Sequence, residues 1–190
     1  MLDDKTIVTA SVTILVTFSG FIIKYLNDIE LAKRKDRLDR INKQLGDFYG
    51  PLYSLLKSNN QSWKSFREKY KPNGAYFNDP NFPTTQTQIE EWKHYMKYVF
   101  MPHNDKIHDI LISKSDLLIE DKMPECLLKL ISHIVIYKAI LKKWELGDDS
   151  ELISIINFPL EVNEYIYTSF EFLKKEQFKI ISKNKPLLKD

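Results

Sequence analysis

The feature of this sequence that most constrains the fold is a run of 18 uncharged residues from Thr6 to Ile23. As an α-helix, this run is roughly 27 Å long, close to the thickness of the hydrocarbon core of a bilayer. The residues before it, Met-Leu-Asp-Asp-Lys, are not basic, and no small-x-small cleavage site precedes a polar start. A cleaved signal peptide is therefore disfavoured, and the sequence predicts one transmembrane helix within residues 1–26.

The charges that flank this helix predict its orientation. The basic residues after the span are Lys33, Arg34, Lys35, Arg37, Arg40 and Lys43, and the acidic residues before it are Asp3 and Asp4. Basic flanks are retained on the cytoplasmic side of a membrane. We therefore expect the N-terminus outside and the C-terminal part in the cytoplasm, at an inner or plasma membrane.

A stripe of hydroxyl and small residues follows one face of the predicted span. Its members are Thr6, Thr9, Thr13, Thr17, Gly20 and Lys24. They are three or four residues apart, which is the spacing of one helix face. Three interpretations are open: each hydroxyl bonds the carbonyl one turn back, the stripe packs against copies of the same helix, or it lines a pore.

The residues after the span are typical of helices. The 190 residues include only 5 Gly, and no stretch alternates convincingly with the period of a strand. The charged residues 27–50 predict a basic juxtamembrane stalk that continues the membrane helix. Residues 51–190 predict a cytoplasmic helical domain. The predicted fold is all-α: one N-terminal transmembrane helix continues into a stalk, which a cytoplasmic helical bundle follows.

An apolar seam lies where the stalk meets this domain. The seam consists of Leu38, Ile41, Leu45 and Phe48. Their spacing of three, four and three residues is that of a short coiled coil, so we expect the seam to join several copies. Gly50-Pro51 follows and predicts a kink or break, because proline removes one helical hydrogen bond and clashes one turn back.

Proline, glycine and apolar periodicity divide the rest of the chain. Punctuating residues such as Pro72-Asn73-Gly74 predict a loop over residues 71–87. Pro102 predicts a second interruption, Gly147 the end of a helix, and Ser150 the cap of a short helix. The predicted helices cover residues 51–70, 87–100, 103–118, 124–147, 150–157 and 159–183.

Charge and cysteine content limit the classes of function. Residues 1–45 carry 8 basic and 6 acidic side chains, which leaves 20 of each in residues 46–190. A broad nucleic-acid surface normally needs a basic excess, so any anion site is a local cluster. The lone Cys126 fits a reducing compartment.

The sequence contains no catalytic signature. It has no phosphate-binding glycine loop, no Gly-x-Ser-x-Gly and no Cys-x-x-Cys. His103 and His108 are five residues apart and do not share a helix face, so no metal-ligand set emerges. We expect a protein that is not an enzyme, with no catalytic residues, no metal and no cofactor.

Two predicted helices interleave basic residues with aromatic ones. The candidate ligand-binding residues are Trp63, Lys64, Arg67, Trp92, Lys93 and Lys97. Rings beside cations suit a nucleotide or a single-stranded nucleic acid, because bases stack on rings and phosphates seek cations. The alternative is that these are amphipathic helices with an aromatic core and solvated lysines.

Several segments between residues 48 and 159 carry a resemblance. They include Phe48-Tyr49-Gly50-Pro51-Leu52-Tyr53, Val99-Phe100-Met101-Pro102, Met123-Pro124-Glu125 and Ile156-Asn157-Phe158-Pro159. These segments resemble a group of uncharacterised bacterial membrane proteins with a single span. The layout is also similar to the Hailong-type membrane effectors of antiphage systems. That resemblance implies a homo-tetrameric ion channel whose cytoplasmic chamber holds a single-stranded DNA oligomer made by a partner nucleotidyltransferase.

Two functional hypotheses follow. The first is a homo-oligomeric single-pass membrane effector, a pore or ion channel of antiphage defence. A nucleotide or single-stranded oligonucleotide bound to the cytoplasmic domain gates it, so its partners are the lipid membrane, copies of itself, that ligand and the enzyme that makes it. The alternative is a membrane-tethered adaptor that docks a cytoplasmic protein and conducts nothing. The threonine stripe favours the first hypothesis, since a tether needs only apolar residues.

Overall fold

A computed structural model of the chain describes residues 3–182, apart from the side chains of residues 6–8 and 10. The regular structure in this range is helical and includes no β-strand, which confirms the all-α prediction. The chain forms two compact units. One contains the described residues up to Asn42 and from Gln177 onwards, and the other is Lys43–Glu176.

The first unit is dominated by a long helix, α1, which covers Asp4–Gln44. Within the described part of the chain, α1 contains the one apolar window long enough to cross a membrane, and no residue of that window is buried. Ile14, Phe18 and Phe21 are 68, 62 and 67 % exposed. A helix of a soluble core would be buried, whereas a helix in lipid presents such side chains to the bilayer. The helix continues through the predicted stalk as far as Gln44.

The second unit contains the other helices of the described chain. They are α2 (Gly50–Tyr70), α3 (Gln86–Tyr95), α4 (Met101–Ser113), α5 (Glu125–Glu145) and α6 (Glu161–Ser182), whose last residues belong to the first unit. A short 3₁₀ turn, Ser115–Leu117, follows α4. The core of this unit consists of apolar side chains from all five helices, including Leu52, Trp92, Ile107, Leu111, Leu127, Leu130, Ile134, Val162 and Ile166.

A π-helical turn joins α1 to α2. It covers Leu45–Tyr49, and the Gly50 N–H donates to the Leu45 carbonyl five residues earlier. Pro51 follows in the first turn of α2. Proline lacks an N–H and its ring clashes with the preceding turn of an ordinary α-helix, and the wider π-turn accommodates both effects. Helical backbone therefore continues to Tyr70. Of the kink or break predicted at Gly50-Pro51, the break does not occur, and a new α-helix begins at Gly50-Pro51 after the π-turn.

The predicted interruption at Pro102 does not occur either, and a π-turn again precedes the proline. A second π-turn covers Met96–Phe100, and the Met101 N–H donates to the Met96 carbonyl. Pro102 then lies in the first turn of α4. The chain is consequently helical without interruption from Gln86 to Ser113. Both prolines follow a π-turn, which is a feature that neither apolar periodicity nor the proline rule predicts.

We expect Gly50→Ala to destabilise the second unit by about 1–3 kcal/mol. A Cβ at Gly50 would lie 2.4 Å from the Leu45 carbonyl oxygen, a backbone atom that cannot move without distorting the turn. Gly46→Ala in the same π-turn is the matched control, because nothing lies within 4 Å of its added Cβ. It should be neutral or slightly stabilising. Thermal unfolding followed by circular dichroism in detergent measures both, and equal melting temperatures would contradict this account.

Two residues of the seam predicted for self-association, Leu45 and Phe48, are buried in the second unit. Phe48 is fully buried and Leu45 is 9 % exposed, Ile41 is also buried, and Leu38 is half-buried. Beside Phe48, the buried Tyr49 places its ring 4.9 Å away, edge-on. A side chain in the core of one protomer cannot simultaneously contact another protomer. Leu45 and Phe48 are therefore core residues, because a heptad spacing identifies an apolar face but not the surface that covers it.

The segment after α5 differs from the sequence prediction. Gly147, with φ +80°, ends α5: its N–H donates to the Trp144 carbonyl and the Asp148 N–H to the Lys143 carbonyl, as predicted for a glycine stop. The predicted helix over 150–157 does not form. Its carbonyls instead accept from side chains of other helices: Trp144 Nε1 to Glu151, Trp92 Nε1 to Leu152 and His133 Nδ1 to Ile156.

Candidate functional site

A cavity of about 370 Å³ lies in the second unit, among α2, α3, α4, α5 and the segment before α6. This volume is at the lower end of the ~300–1,000 Å³ typical of small-molecule sites. The described residues that line the cavity include no Lys, Arg, Asp or Glu. We call it the aromatic cavity. Its rings are Trp63, Tyr76, Phe77, Trp92, Phe100, Tyr137 and Phe158, and its polar residues are Asn59, Asn60, Asn104, His133, Ser154 and Asn157.

Two tryptophans form the main aromatic wall. The ring centroids of Trp63 and Trp92 are 5.7 Å apart, and their planes meet at 75°. Phe77 meets Trp92 in the same way, at 5.6 Å and 74°. Perpendicular rings allow a planar guest to stack on one face while it contacts the edge of the next ring. Trp92 is buried and fixed by its bond to the Leu152 carbonyl at 3.0 Å, whereas Trp63 is 37 % exposed and lies at the mouth.

A hydrogen-bonded group of buried amides lies deeper in the cavity. Asn59 Nδ2 donates to Asn104 Oδ1 at 3.0 Å. Asn59 Oδ1 accepts from His103 Nδ1 at 2.8 Å, and this nitrogen carries the proton because an amide oxygen only accepts. Both asparagines are buried. Each NH₂ group already uses one of its two hydrogens, Asn59 toward Asn104 and Asn104 toward Met101 Sδ at 3.8 Å, so each amide has one hydrogen left to donate to a ligand.

His133 supplies an uncharged ring nitrogen. Burial lowers the pKa of His133, and the bond to the Ile156 carbonyl opposes this only in part, so the ring is neutral at pH 7. Nδ1 donates to that carbonyl at 2.6 Å, which leaves Nε2 as the acceptor of the neutral ring. The ring is held edge-on by Tyr137 at 4.9 Å and Phe158 at 5.6 Å. His133 therefore complements the amide donors with an acceptor.

The loop between α2 and α3 forms one side of the cavity and carries Tyr76 and Phe77. Asp79 folds this loop, as its Oδ2 accepts from the Ala75 N–H at 2.7 Å. That bond makes the largest contribution to holding the pKa of Asp79 below its usual range. The buried Lys71 donates from Nζ to the Tyr76 carbonyl at 2.8 Å. Hydrogen bonds of the loop thus hold these two rings in place.

The structure brings together part of the predicted ligand-binding set. Trp63 and Trp92 line the cavity. The guanidinium of Arg67 lies 5.6 Å from the ring centre of Trp63 and 5.8 Å from that of Tyr76. Arg67 also donates to the Gly74 carbonyl, which places it beside the mouth. Of the four basic residues in the set, Arg67 is the one positioned over rings that line the cavity.

The three lysines of the predicted set form ion pairs. The pairs are Lys93 with Asp149 at 2.6 Å, Lys97 with Glu145 at 3.6 Å and Lys64 with Glu68 at 3.9 Å. Lys93 also lies over the ring of Trp144, which does not line the cavity. Paired cations attract a phosphate less than free ones, so the structure separates the predicted set into cavity rings with Arg67 and surface lysines.

The threonine hydroxyls of α1 bond within their own helix. Thr9 donates to the Lys5 carbonyl at 2.8 Å, Thr13 to Thr9 at 2.9 Å and Thr17 to Thr13 at 2.8 Å. Each hydroxyl oxygen still has lone pairs for water or a neighbouring helix. Around Gly20 there is open space, and Lys24 is exposed. The side chain of Thr6 lies outside the described part of the chain.

Sequence analysis did not identify the polar residues of the cavity. Asn59 is four residues before Trp63, and His133 four before Tyr137, so each pair shares one helix face. This spacing was the one sequence feature that could have indicated that a polar side chain lies beside each ring. Asn104 comes from a third helix, and no linear pattern connects residues that only the packing of α2, α4 and α5 brings together.

Comparison of the chain with protein-family models, with curated proteins and with solved structures finds no match. The resemblance to Hailong-type effectors therefore stays a prediction. The fold and the aromatic cavity are the features from which a function can be inferred.

Proposed function

We propose that this protein is a homo-oligomeric, single-pass membrane effector whose spans form a ligand-gated pore. Its N-terminal helix crosses an inner or plasma membrane, the helical body lies in the cytoplasm, and a nucleotide in the aromatic cavity controls conduction. A role in bacterial antiphage defence, with a partner enzyme that makes the ligand, is what the resemblance adds to this proposal.

The observation that carries the proposal is the continuity of helical backbone from α1 to Tyr70. Helix α2 supplies Asn59 and Trp63 to the aromatic cavity. The same stretch of helix therefore includes both the apolar window and one wall of the cavity. A ligand that shifts α2 acts on a segment that continues, through backbone hydrogen bonds, into the span.

The two π-turns support a switching role. The first separates α1 from α2, and the second, Met96–Phe100, contributes both of its end residues to the cavity. A π-turn holds one more residue than an α-turn and is common at functional sites. Its conversion would change the helix register by one residue. Such a step is a discrete element that ligand binding can bias.

The chemistry of α1 supports the proposed sidedness and the proposed pore. Lys24, Lys33 and Lys35 are exposed after the apolar window, where they can meet cytoplasmic lipid head groups. A lone helix gains nothing from exposed hydroxyls in lipid, whereas small and hydroxyl residues allow close helix packing or line water. A ring of threonines at each turn would let ions keep part of their hydration, which describes a poorly selective pore.

One observation favours the adaptor alternative. The described hydroxyls of the stripe, on Thr9, Thr13 and Thr17, each donate to a carbonyl of the same helix. These bonds satisfy the donors in lipid without a lumen or a second helix. A membrane-tethered adaptor that docks a cytoplasmic protein is therefore the second candidate function.

Cysteine accessibility distinguishes a pore from a tether. In a Cys126→Ser background, which removes the single native cysteine, we expect Thr13→Cys and Thr17→Cys to react with a charged thiol reagent and to change ion flux in proteoliposomes. Leu15→Cys is the matched control, because Leu15 lies in the same helix and is 64 % exposed. A lipid-facing cysteine stays protonated and unreactive, so the reagent should leave Leu15→Cys unchanged.

Identical behaviour of the three cysteines would mean that the stripe does not line a lumen. A full-length particle with the mass of a monomer, and no ion flux with any ligand, would likewise leave the adaptor as the remaining function.

A further inference from the structure

We infer that the aromatic cavity binds one nucleobase of a nucleotide, and that the phosphate of this nucleotide stays outside the cavity against Arg67. This inference deepens the proposed function, since it names the ligand class of the same site. Its test is direct binding, which does not depend on conduction.

The walls of the cavity fit a flat ring. Trp63 and Trp92 are perpendicular, and Phe77 and Phe100 continue the aromatic lining around Trp92 at 5.6 and 6.0 Å. A base gains from stacking on such rings whatever its identity, because every base has a π-face. A volume of about 370 Å³ is suited to one base with part of its sugar, and not to several stacked bases.

The polar groups of the cavity fit the edge of a base. The amide nitrogens of Asn59 and Asn104 offer donors, and Nε2 of His133 offers an acceptor. A purely hydrocarbon ring would offer no partner to the remaining amide hydrogens or to Nε2 of His133, which costs free energy in a buried site. Nucleobases carry both donors and acceptors on their edges, so they satisfy both kinds of group.

The charge distribution separates the base from the phosphate. No Lys, Arg, Asp or Glu is among the described lining residues, so a phosphate inside the cavity would lose its hydration without a counter-charge. Arg67 is half-buried and lies over the rings of Trp63 and Tyr76. Its guanidinium has five N–H donors, and one of its NH₂ groups donates to the Gly74 carbonyl. Its positive charge beside the mouth favours an anionic substituent and disfavours a cationic aromatic ligand.

The test is a fluorescence titration of the full-length protein in detergent. The chain has 3 Trp, and Trp144→Phe leaves only the two cavity tryptophans as reporters. The probes are adenosine, guanosine, cytidine and uridine, each with its 5′-monophosphate. We expect saturable quenching by at least one base, with the monophosphate binding about tenfold more tightly than its nucleoside. That advantage should shrink as salt rises.

Matched variants locate the two parts of the ligand. Trp63→Leu should weaken nucleoside and monophosphate about tenfold or more, since stacking on one ring is lost. Arg67→Gln should remove the advantage of the monophosphate and weaken nucleoside binding far less than Trp63→Leu does. Lys64→Gln, one turn earlier on α2, should change neither. Arg67→Lys keeps the charge and should retain part of the advantage, which controls for the lost contact to Gly74.

Three results would overturn the inference. They are no saturable quenching by any probe in the millimolar range, equal affinities for nucleosides and monophosphates, and binding that Trp63→Leu does not affect. Base binding without ligand-dependent ion flux would instead reject the pore and leave the base site standing.

Discussion

Replacement of Ile14 by Asp is expected to remove the protein from the membrane fraction. Ile14 lies near the middle of the apolar window and is 68 % exposed, so no other part of the chain shields the new carboxylate. A charged residue at the centre of a transmembrane helix costs about 2.5–3.5 kcal/mol on insertion. That cost corresponds to roughly a hundredfold loss of the inserted form. The uncharged run from Thr6 to Ile23 is only moderately hydrophobic, because it already contains four threonines and two serines.

Leu31→Asp is the matched control for this change. Leu31 is 62 % exposed on the same helix α1, but it lies after the window among charged residues. The same substitution there should leave the protein in the membrane. Carbonate extraction followed by immunoblotting measures the inserted fraction of both variants. If Ile14→Asp is retained as fully as Leu31→Asp, α1 does not cross the bilayer as a single lipid-exposed span.

Replacement of Phe48 by Ala should cost about 3–5 kcal/mol of unfolding free energy. Phe48 is fully buried and its ring packs edge-on against Tyr49. A domain of this size has a total stability of about 5–15 kcal/mol, so this loss is a large part of it. The variant should melt at a much lower temperature, while any copies that remain folded keep the oligomeric mass of the unmodified protein.

Asp47→Ala is the control, because Asp47 is the exposed neighbour of Phe48 in the same π-turn. It should change the melting temperature little. Circular dichroism melting and light scattering in detergent separate the two roles of the apolar seam. A Phe48→Ala protein that melts normally but dissociates into folded protomers would show that Phe48 joins copies, as its heptad spacing predicts, and that its burial within the chain does not contribute to stability.

The proposed function and the base site are tested by different measurements on the same protein. Cysteine accessibility reports on the stripe of α1, and tryptophan quenching reports on the cavity of the second unit. The structure also identifies Arg67, and not the lysines, as the basic residue whose mutation tests ligand binding. Lys93 and Lys97 are tied to Asp149 and Glu145, whereas Arg67 lies over cavity rings.

The features that depend on local composition could be predicted from the amino-acid sequence. An uncharged run predicts an apolar helix because charges are expensive in hydrocarbon. Apolar periodicity predicts helices over 51–70 and after Pro124, and α2 and α5 confirm them. Gly147 predicts the end of α5 because glycine readily adopts a positive φ, here +80°.

The contacts of each apolar or aromatic face depend on tertiary packing and could not be predicted in this way. Phe48 fits a seam between copies in the sequence and lies in the core of one chain in the structure. Pro51 predicts a kink or break and Pro102 an interruption, but π-turns accommodate both prolines. The segment 150–157 has a helix-like pattern, yet Trp92, Trp144 and His133 take its carbonyls. The aromatic cavity likewise combines side chains far apart in the chain, so it forms only when α2, α4 and α5 pack. It could not be predicted from the sequence, because burial and hydrogen bonding between distant residues leave no local pattern there.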